Sequence, residues 1–155
     1  MSNIHPTSII GDNVKIGNNV TIGPYCVIGN KGAIRNSDKN SGTIIIDDNT
    51  TIMNFVSIMS GEEGDTIIGK NNLIMNYVNI GHNTIIGDNN EIGAGTIIAG
   101  WCNIGNDNKI KLHCTIRNRA TIGDNTLIGM GSNVVKDIIS NTLVKGNPIK
   151  IYENE

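Results

Sequence analysis

The run Ile80-Gly81-His82-Asn83-Thr84-Ile85, followed at once by Ile86-Gly87-Asp88-Asn89-Asn90-Glu91, decides how the chain is to be folded. Each half opens with an aliphatic residue and a Gly, continues with two polar residues, and closes on two more positions. Calling the aliphatic position i, the unit recurs at Ile4, Ile10, Ile16, Ile22, Ile28 and Ile34, six residues apart each time. Asn40 is the one polar member, after which Ile46, Ile52 and Ile58 resume the count. Four extra residues precede Ile68, and the series then runs unbroken from Ile74 to Val134, 22 units in all.

The other positions keep step. Gly recurs at i+1, at Gly11, Gly17, Gly69, Gly81, Gly87 and Gly105 among others, where it suits a turn of unusual φ and ψ. Position i+4 is mostly small or β-branched, and Cys26, Cys102 and Cys114 all fall there, so i and i+4 are expected to face inward. A helix does not fit, because six is no multiple of 3.6 and this density of Gly and Asn opposes it. Evenly punctuated β-branched units point instead to a parallel β-helix whose short strands stack about 4.8 Å apart.

Composition narrows the function classes. The chain has 155 residues, enough for one domain with a core, and a net charge of −2, without the basic excess of a nucleic-acid binder. The aromatic fraction is 3%, so Ile, Val and Gly carry the pattern. No apolar run approaches the roughly 18 residues of a membrane span. Met1-Ser2-Asn3-Ile4-His5-Pro6 is not a signal peptide, and a cytoplasmic protein is expected, with no nucleic-acid or membrane partner. The three cysteines form no CxxC pair and are expected as buried, reduced thiols.

The pattern resembles the hexapeptide-repeat acyltransferases from residue 4 to about 150. That resemblance implies an all-β, left-handed parallel β-helix of triangular section, with three units per coil and about seven coils. Residues 1–134 are expected to form it, with a protruding loop near 60–66, and Arg35 to Gly42 a degenerate turn and loop. Residues 135–155 are expected as a C-terminal tail closing the cofactor site. Members of the family are homotrimers with active sites between subunits, so a homotrimer is expected.

Eighteen residues per coil stacks His82 beneath Gly100, Asn118 and Lys136, and above Ser60 once the insertion is allowed for. An imidazole there is suited to general-base work, and a backbone N–H at Gly100 to holding an oxyanion. Taken on spacing alone, His82 could equally be a surface residue filling a polar i+2 site. The stretch Asn79 to Asn83 resembles the segment holding the catalytic base in the lipid A-type UDP-N-acetylglucosamine acyltransferases and in the sialic-acid and bacillosamine-type sugar acetyltransferases. Ile97-Ile98-Ala99-Gly100 resembles their oxyanion segment, so the resemblance implies His82 as base and Gly100 as oxyanion donor. Asn79, Trp101 and Arg117 stand where the lipid A enzyme has further histidines, and Asn83 replaces an acidic residue often found beside the base.

Glu62, Glu63, Asn79 and Trp101 are therefore expected to meet the acceptor, with Glu62, Glu63, Asp65 or a backbone carbonyl orienting His82. Trp101 could alternatively pack against a neighbouring subunit. His113 is expected in a solvated or interface role, and no metal is expected. Gly146-Asn147-Pro148-Ile149-Lys150 resembles the closing segment of acetyl-CoA-dependent members. Asn118, Lys136, Pro148 and Lys150, with Lys145, are on that ground expected to bind acetyl-CoA. Acyl-carrier-protein users of the lipid A type carry a C-terminal helical domain, and none is expected here, which favours acetyl-CoA. The expectation is an acetyltransferase moving acetyl from acetyl-CoA to an amine or hydroxyl of a sugar nucleotide. The alternatives are an acyl-carrier-protein-dependent sugar O-acyltransferase or a non-catalytic structural β-helix. A zinc enzyme of the gamma carbonic anhydrase type would need three histidines at one metal, and this chain has three in total.

Overall fold

Strands of two to five residues wind into three parallel sheets in the structure, a computed structural model that describes residues 1–31, 42–62 and 64–152. The winding is left-handed, of about seven coils, and the described residues contain no helix. The first sheet stacks Ile4, Ile22, Ile52, Ile74, Ile92, Ile110, Ile128 and Val144. The second stacks Ile10, Ile28, Ile58, Ile80, Ile98, Ile116 and Val134, and the third runs from Ile16 to Ile122. From Ile22 onward these side chains are fully buried along the axis, each contributing about 1.5–3 kcal/mol of transfer free energy. In the first coil Ile4, Ile10 and Ile16 are only partly covered.

Most neighbouring rungs lie eighteen residues apart, as in Ile80 and Ile98, but three places differ. Ile16 pairs with Ile46, thirty residues on, so the coil there carries twelve more residues than the rest. Ile34 and Asn40, counted above as units, lie outside the described residues, and the flanking rungs pair without them. The expected degenerate loop falls there too, apart from Gly42. Ile58 pairs with Ile80, twenty-two residues on, which accommodates the insertion after Ser60. Finally Ile122 meets Ile138 and Ile128 meets Val144, sixteen residues apart. Stacking thus runs past the expected boundary at 134. Leu143–Lys145 adds a parallel rung to the first sheet, and Lys150–Tyr152 returns antiparallel against it.

Gly29 alone among the described i+1 glycines holds the unusual backbone expected there, with φ 107°; at the others a close approach is the cause. A Cβ on Gly81 would lie 2.5 Å from Gly100 N, and one on Gly93 would lie 2.5 Å from the Lys111 carbonyl carbon. The next coil passes too close for a side chain. Left-handed backbone is the rule at i+3, at Asn19, Asn49, Asn71, Asn83, Asn89 and Asn125 with φ from 52 to 59°, which Asn tolerates better than most residues. Tyr25, Phe55, Tyr77, Trp101, His113 and Arg119 hold the same conformation despite their bulk.

Position i+4 bridges coils. The Thr84 hydroxyl donates to Ala99 O at 3.1 Å and accepts from Cys102 N–H at 3.4 Å. The Cys102 thiol in turn donates to Arg117 O at 3.2 Å, and Cys114 to Gly129 O at 3.3 Å. All three cysteines are buried and unpaired as disulfides, as expected. At the corner after the third sheet the same position carries buried Asn72, Asn90 and Asn108, with the Asn90 and Asn108 N–H groups donating to the Oδ1 of the Asn below at 2.8 and 2.9 Å. No helix among the described residues is long and apolar enough to cross a membrane.

Candidate functional site

His82 occupies i+2 at the corner after the second sheet, directly following the strand Asn79–Ile80. Its imidazole is half-buried. Gly100, one coil above, makes room for it: a Cβ there would lie 2.7 Å from His82 Nε2 and 2.9 Å from Cε1. The ring thus occupies the space a side chain at position 100 would take, with Nε2 turned toward Gly100. Spacing therefore paired these two residues correctly.

At the corner after the third sheet the i+2 N–H donates to the side-chain oxygen of the i+2 residue above, Lys70 to Asp88, Asp88 to Asn106 and Asn106 to Asp124, each at 2.7 Å, and Asn54 does so to Asn76 at 3.0 Å after the first sheet. Among the described residues the Gly100 N–H makes no such bond, although Asn118 stands above it. A donor left in this state beside an imidazole is placed for a developing negative charge.

Trp101 and Arg119 complete the corner. The indole meets the His82 ring edge-on, with centroids 6.0 Å apart, and the Arg119 guanidinium lies 5.1 Å from its centroid. Trp101 is 40% exposed, so part of the indole meets solvent beside the imidazole. Arg119 was missed in the sequence; its signal is the eighteen-residue column Asn83, Trp101, Arg119 at i+3.

Asn83 is the residue that touches the second ring nitrogen of His82. Its Oδ1 lies 3.0 Å from His82 Nδ1 and accepts the Glu62 N–H at 2.9 Å. Glu62 thus comes to the site, but through its backbone. Asp65 accepts instead from Thr43 N–H at 2.9 Å, and Glu63 lies outside the described residues. Asn79 sits on the strand before His82, paired with Ser57 and Ile97. Asn118 and Lys136 are exposed higher in the same column. Arg117 pairs with Asp137 at 3.2 Å on the surface.

The tail does not join this site. Ile149 is buried, its N–H donating to Asn133 O at 3.1 Å, and Lys145 lies 4.4 Å from the Tyr152 ring centroid. Pro148 and Lys150 are exposed, and Lys150 lies on the last rung of the first sheet, five rungs beyond the Leu73–Ile74 strand of the His82 coil, or about 24 Å by strand spacing. His113 stands at a different corner, its ring against Gly95, where a Cβ would lie 2.4 Å from Nδ1.

The bacterial transferase hexapeptide (six repeats) family matches residues 1–30 and 65–100. The acyl-[acyl-carrier-protein]–UDP-N-acetylglucosamine O-acyltransferase of Rickettsia bellii is 34% identical over 124 residues, covering 66% of this chain and 44% of that protein. The chain thus spans about half the length of the curated relatives it matches. The crystal structure of a UDP-N-acetylglucosamine acyltransferase from Bacteroides fragilis superposes with a TM-score of 0.93 at 30% identity, covering 97% of this chain and 61% of that one. A perosamine N-acetyltransferase from Caulobacter crescentus, solved with CoA and GDP-perosamine, superposes at a TM-score of 0.70 with 19% identity, a likeness of fold alone.

These findings overturn the acetyl-CoA expectation and the acetyltransferase activity, and so the cofactor for which Asn118, Lys136, Pro148 and Lys150 were expected. The relatives at 30% identity or above whose names state a donor use an acyl-carrier protein. The physical reason lies in the segment that suggested CoA: Gly146 to Lys150 folds back on the last rung, a closing turn that any donor chemistry could share. By repeat register, coil geometry and identity, the chain belongs to the hexapeptide-repeat family of left-handed β-helix acyltransferases.

Proposed function

We propose that the chain is an acyltransferase moving an acyl group from an acyl-carrier-protein thioester to a hydroxyl of a UDP-N-acetylglucosamine-type nucleotide sugar. The observation that carries it is the His82 imidazole seated against Gly100, beside an N–H with no acceptor among the described residues. The names of the relatives supply donor and acceptor. His82 Nε2 takes the hydroxyl proton as the oxygen attacks the thioester carbonyl. The Gly100 N–H receives the oxyanion. The tetrahedral intermediate then expels the carrier thiolate, which takes the proton back from the imidazolium. Trp101 offers the exposed part of its indole to the sugar or base, Glu62 and Asn79 flank the acceptor, and Asn118 and Lys136 line the path of the donor.

The working form in this proposal is a homotrimer, and the location cytoplasmic. Stacked Tyr25, Phe55 and Tyr77, with centroids 5.2 and 5.0 Å apart, and exposed Ile85 and Ile97 on the flanks of the His82 corner support the assembly. Light scattering at micromolar concentration is expected to give about three chain masses; a monomer removes the shared site. The activity test pairs acyl-carrier-protein thioesters with UDP-N-acetylglucosamine and reads the acylated sugar by mass spectrometry. His82→Ala is expected to lower kcat by about 10²–10⁴ with acceptor affinity kept. Full activity in that variant refutes the assignment of the base.

A further inference from the structure

We propose that Asn83 is a positioning residue: held by both backbone groups of Glu62, its carboxamide fixes His82 as the Nδ1–H tautomer and leaves Nε2 as the free base. The direction of the amide is decided by the backbone. Glu62 N–H must donate, and it meets Asn83 Oδ1 at 2.9 Å; Glu62 O must accept, and it meets Asn83 Nδ2 at 3.0 Å. A flipped amide would set N–H against N–H and oxygen against oxygen. Oδ1 has a second lone pair, and it faces His82 Nδ1 at 3.0 Å. Only a protonated Nδ1 makes that contact a hydrogen bond, so the neutral ring carries its proton there and Nε2 is an acceptor directed toward Gly100.

Two further observations separate Asn83 from the Asn residues that merely tolerate left-handed backbone. Asn19, Asn71 and Asn125 donate from Nδ2 to the next Asn of their own column, Asn49, Asn89 and Asn141, at 2.8–3.1 Å. Asn83 turns away from its column and clasps the insertion instead. Its backbone is anchored as well: Asn83 N–H donates to Thr66 Oγ1 at 2.9 Å, and Thr66 Oγ1 donates to Met59 O at 2.9 Å. The residues that interrupt the repeat between Met59 and Thr66 thus hold the group that holds the base. Because Asn83 is neutral, it sets direction without adding a charge to stabilise the imidazolium.

The catalytic meaning rests on the proposed acyl transfer, but the tautomer is measurable without it. Long-range ¹H–¹⁵N correlation on the labelled intact protein, with the His82 ring identified by its loss in His82→Gln, is expected to show Nδ1 protonated and Nε2 bare at alkaline pH. An Nε2–H ring or an averaged mixture overturns the proposal, whatever the protein catalyses. Asn83→Ala is expected to release the tautomer and lower kcat about 10–100-fold with KM for the acceptor unchanged. Asn83→Asp, which still accepts from Nδ1 but carries charge, is expected to keep the tautomer and shift the acid limb of the pH–rate profile upward. Asn83→Ala with an unchanged Nδ1–H ring refutes the positioning role. A protein lacking acyltransferase activity but showing the Nδ1–H ring refutes the function and leaves the clasp standing.

Discussion

His82 works in space that a neighbouring glycine leaves empty. Gly100→Ala is therefore a test of geometry more than of stability, since the added methyl meets the far end of a side chain and not a packed backbone. The imidazole must swing away and give up Asn83. A misplacement on the order of 1 Å at a reacting group costs about 10² in rate, and that loss in kcat is expected with a melting temperature close to wild type. An active Gly100→Ala would remove Gly100 from the site. Trp101 and Arg119 add a second argument at this scale. Both hold left-handed backbone at φ 62°, a conformation costing about 1–2 kcal/mol for a residue with a Cβ. Asn would be the cheaper choice, and what the two bulky side chains add is contact: Trp101 with the imidazole, and Arg119 with the Trp101 ring.

At the scale of the element, the strands are too short to stand alone and are tied through i+4. Thr84, Cys102 and Ala120 follow one another in that column, and hydroxyl and thiol make the same bridge to the coil above. Burial pushes the Cys102 and Cys114 thiols above their ordinary value of 9.0, with backbone hydrogen bonds pulling less strongly the other way. The folded state therefore disfavours both thiolates, and the unfolded chain ionises first. Their contribution is complete below about pH 9 and declines as pH rises through the folded-state pKa. Melting curves taken from about pH 7 upward should show this decline, and Cys102→Ser with Cys114→Ser should flatten it. An identical alkaline slope in the double variant would place its origin elsewhere.

Across the whole molecule, stability is a sum of neighbour terms, because each coil touches only the coils above and below it. Ile92 stacks between Ile74 and Ile110 and is fully buried. Ile92→Ala is expected to remove about 2–5 kcal/mol locally. Hydrogen exchange should then show protection lost first around Leu73–Ile74 and Lys109–Ile110, with rungs at Ile28 and Val144 affected last. Uniform loss along the axis would indicate one cooperative unit instead. The same layering explains why the three corners differ in chemistry on one scaffold: stacked aromatics follow the first sheet, His82 and Trp101 the second, and Asn and Asp ladders the third.

The six-residue period by itself determined the parallel β-helix, the buried columns, the interior cysteines and the pairing of His82 with Gly100. Each of these is repeated locally, so counting along the chain recovers it. Counting could not see that the rung above Ile28 is Ile58, thirty residues on and not eighteen, because the difference of twelve is a multiple of six and leaves the register intact. Nor could it show why Gly stands at i+1, which depends on how closely the next coil passes. The donor was not written in Gly146 to Lys150, whose residues serve to fold the chain back on its last rung. Asn83 was visible as a replaced acid, but its role was decided only in three dimensions. A carboxamide has two chemically opposite ends, and which one faces the histidine depends on the Glu62 backbone, twenty-one residues away in the chain and brought alongside by the turn of the helix.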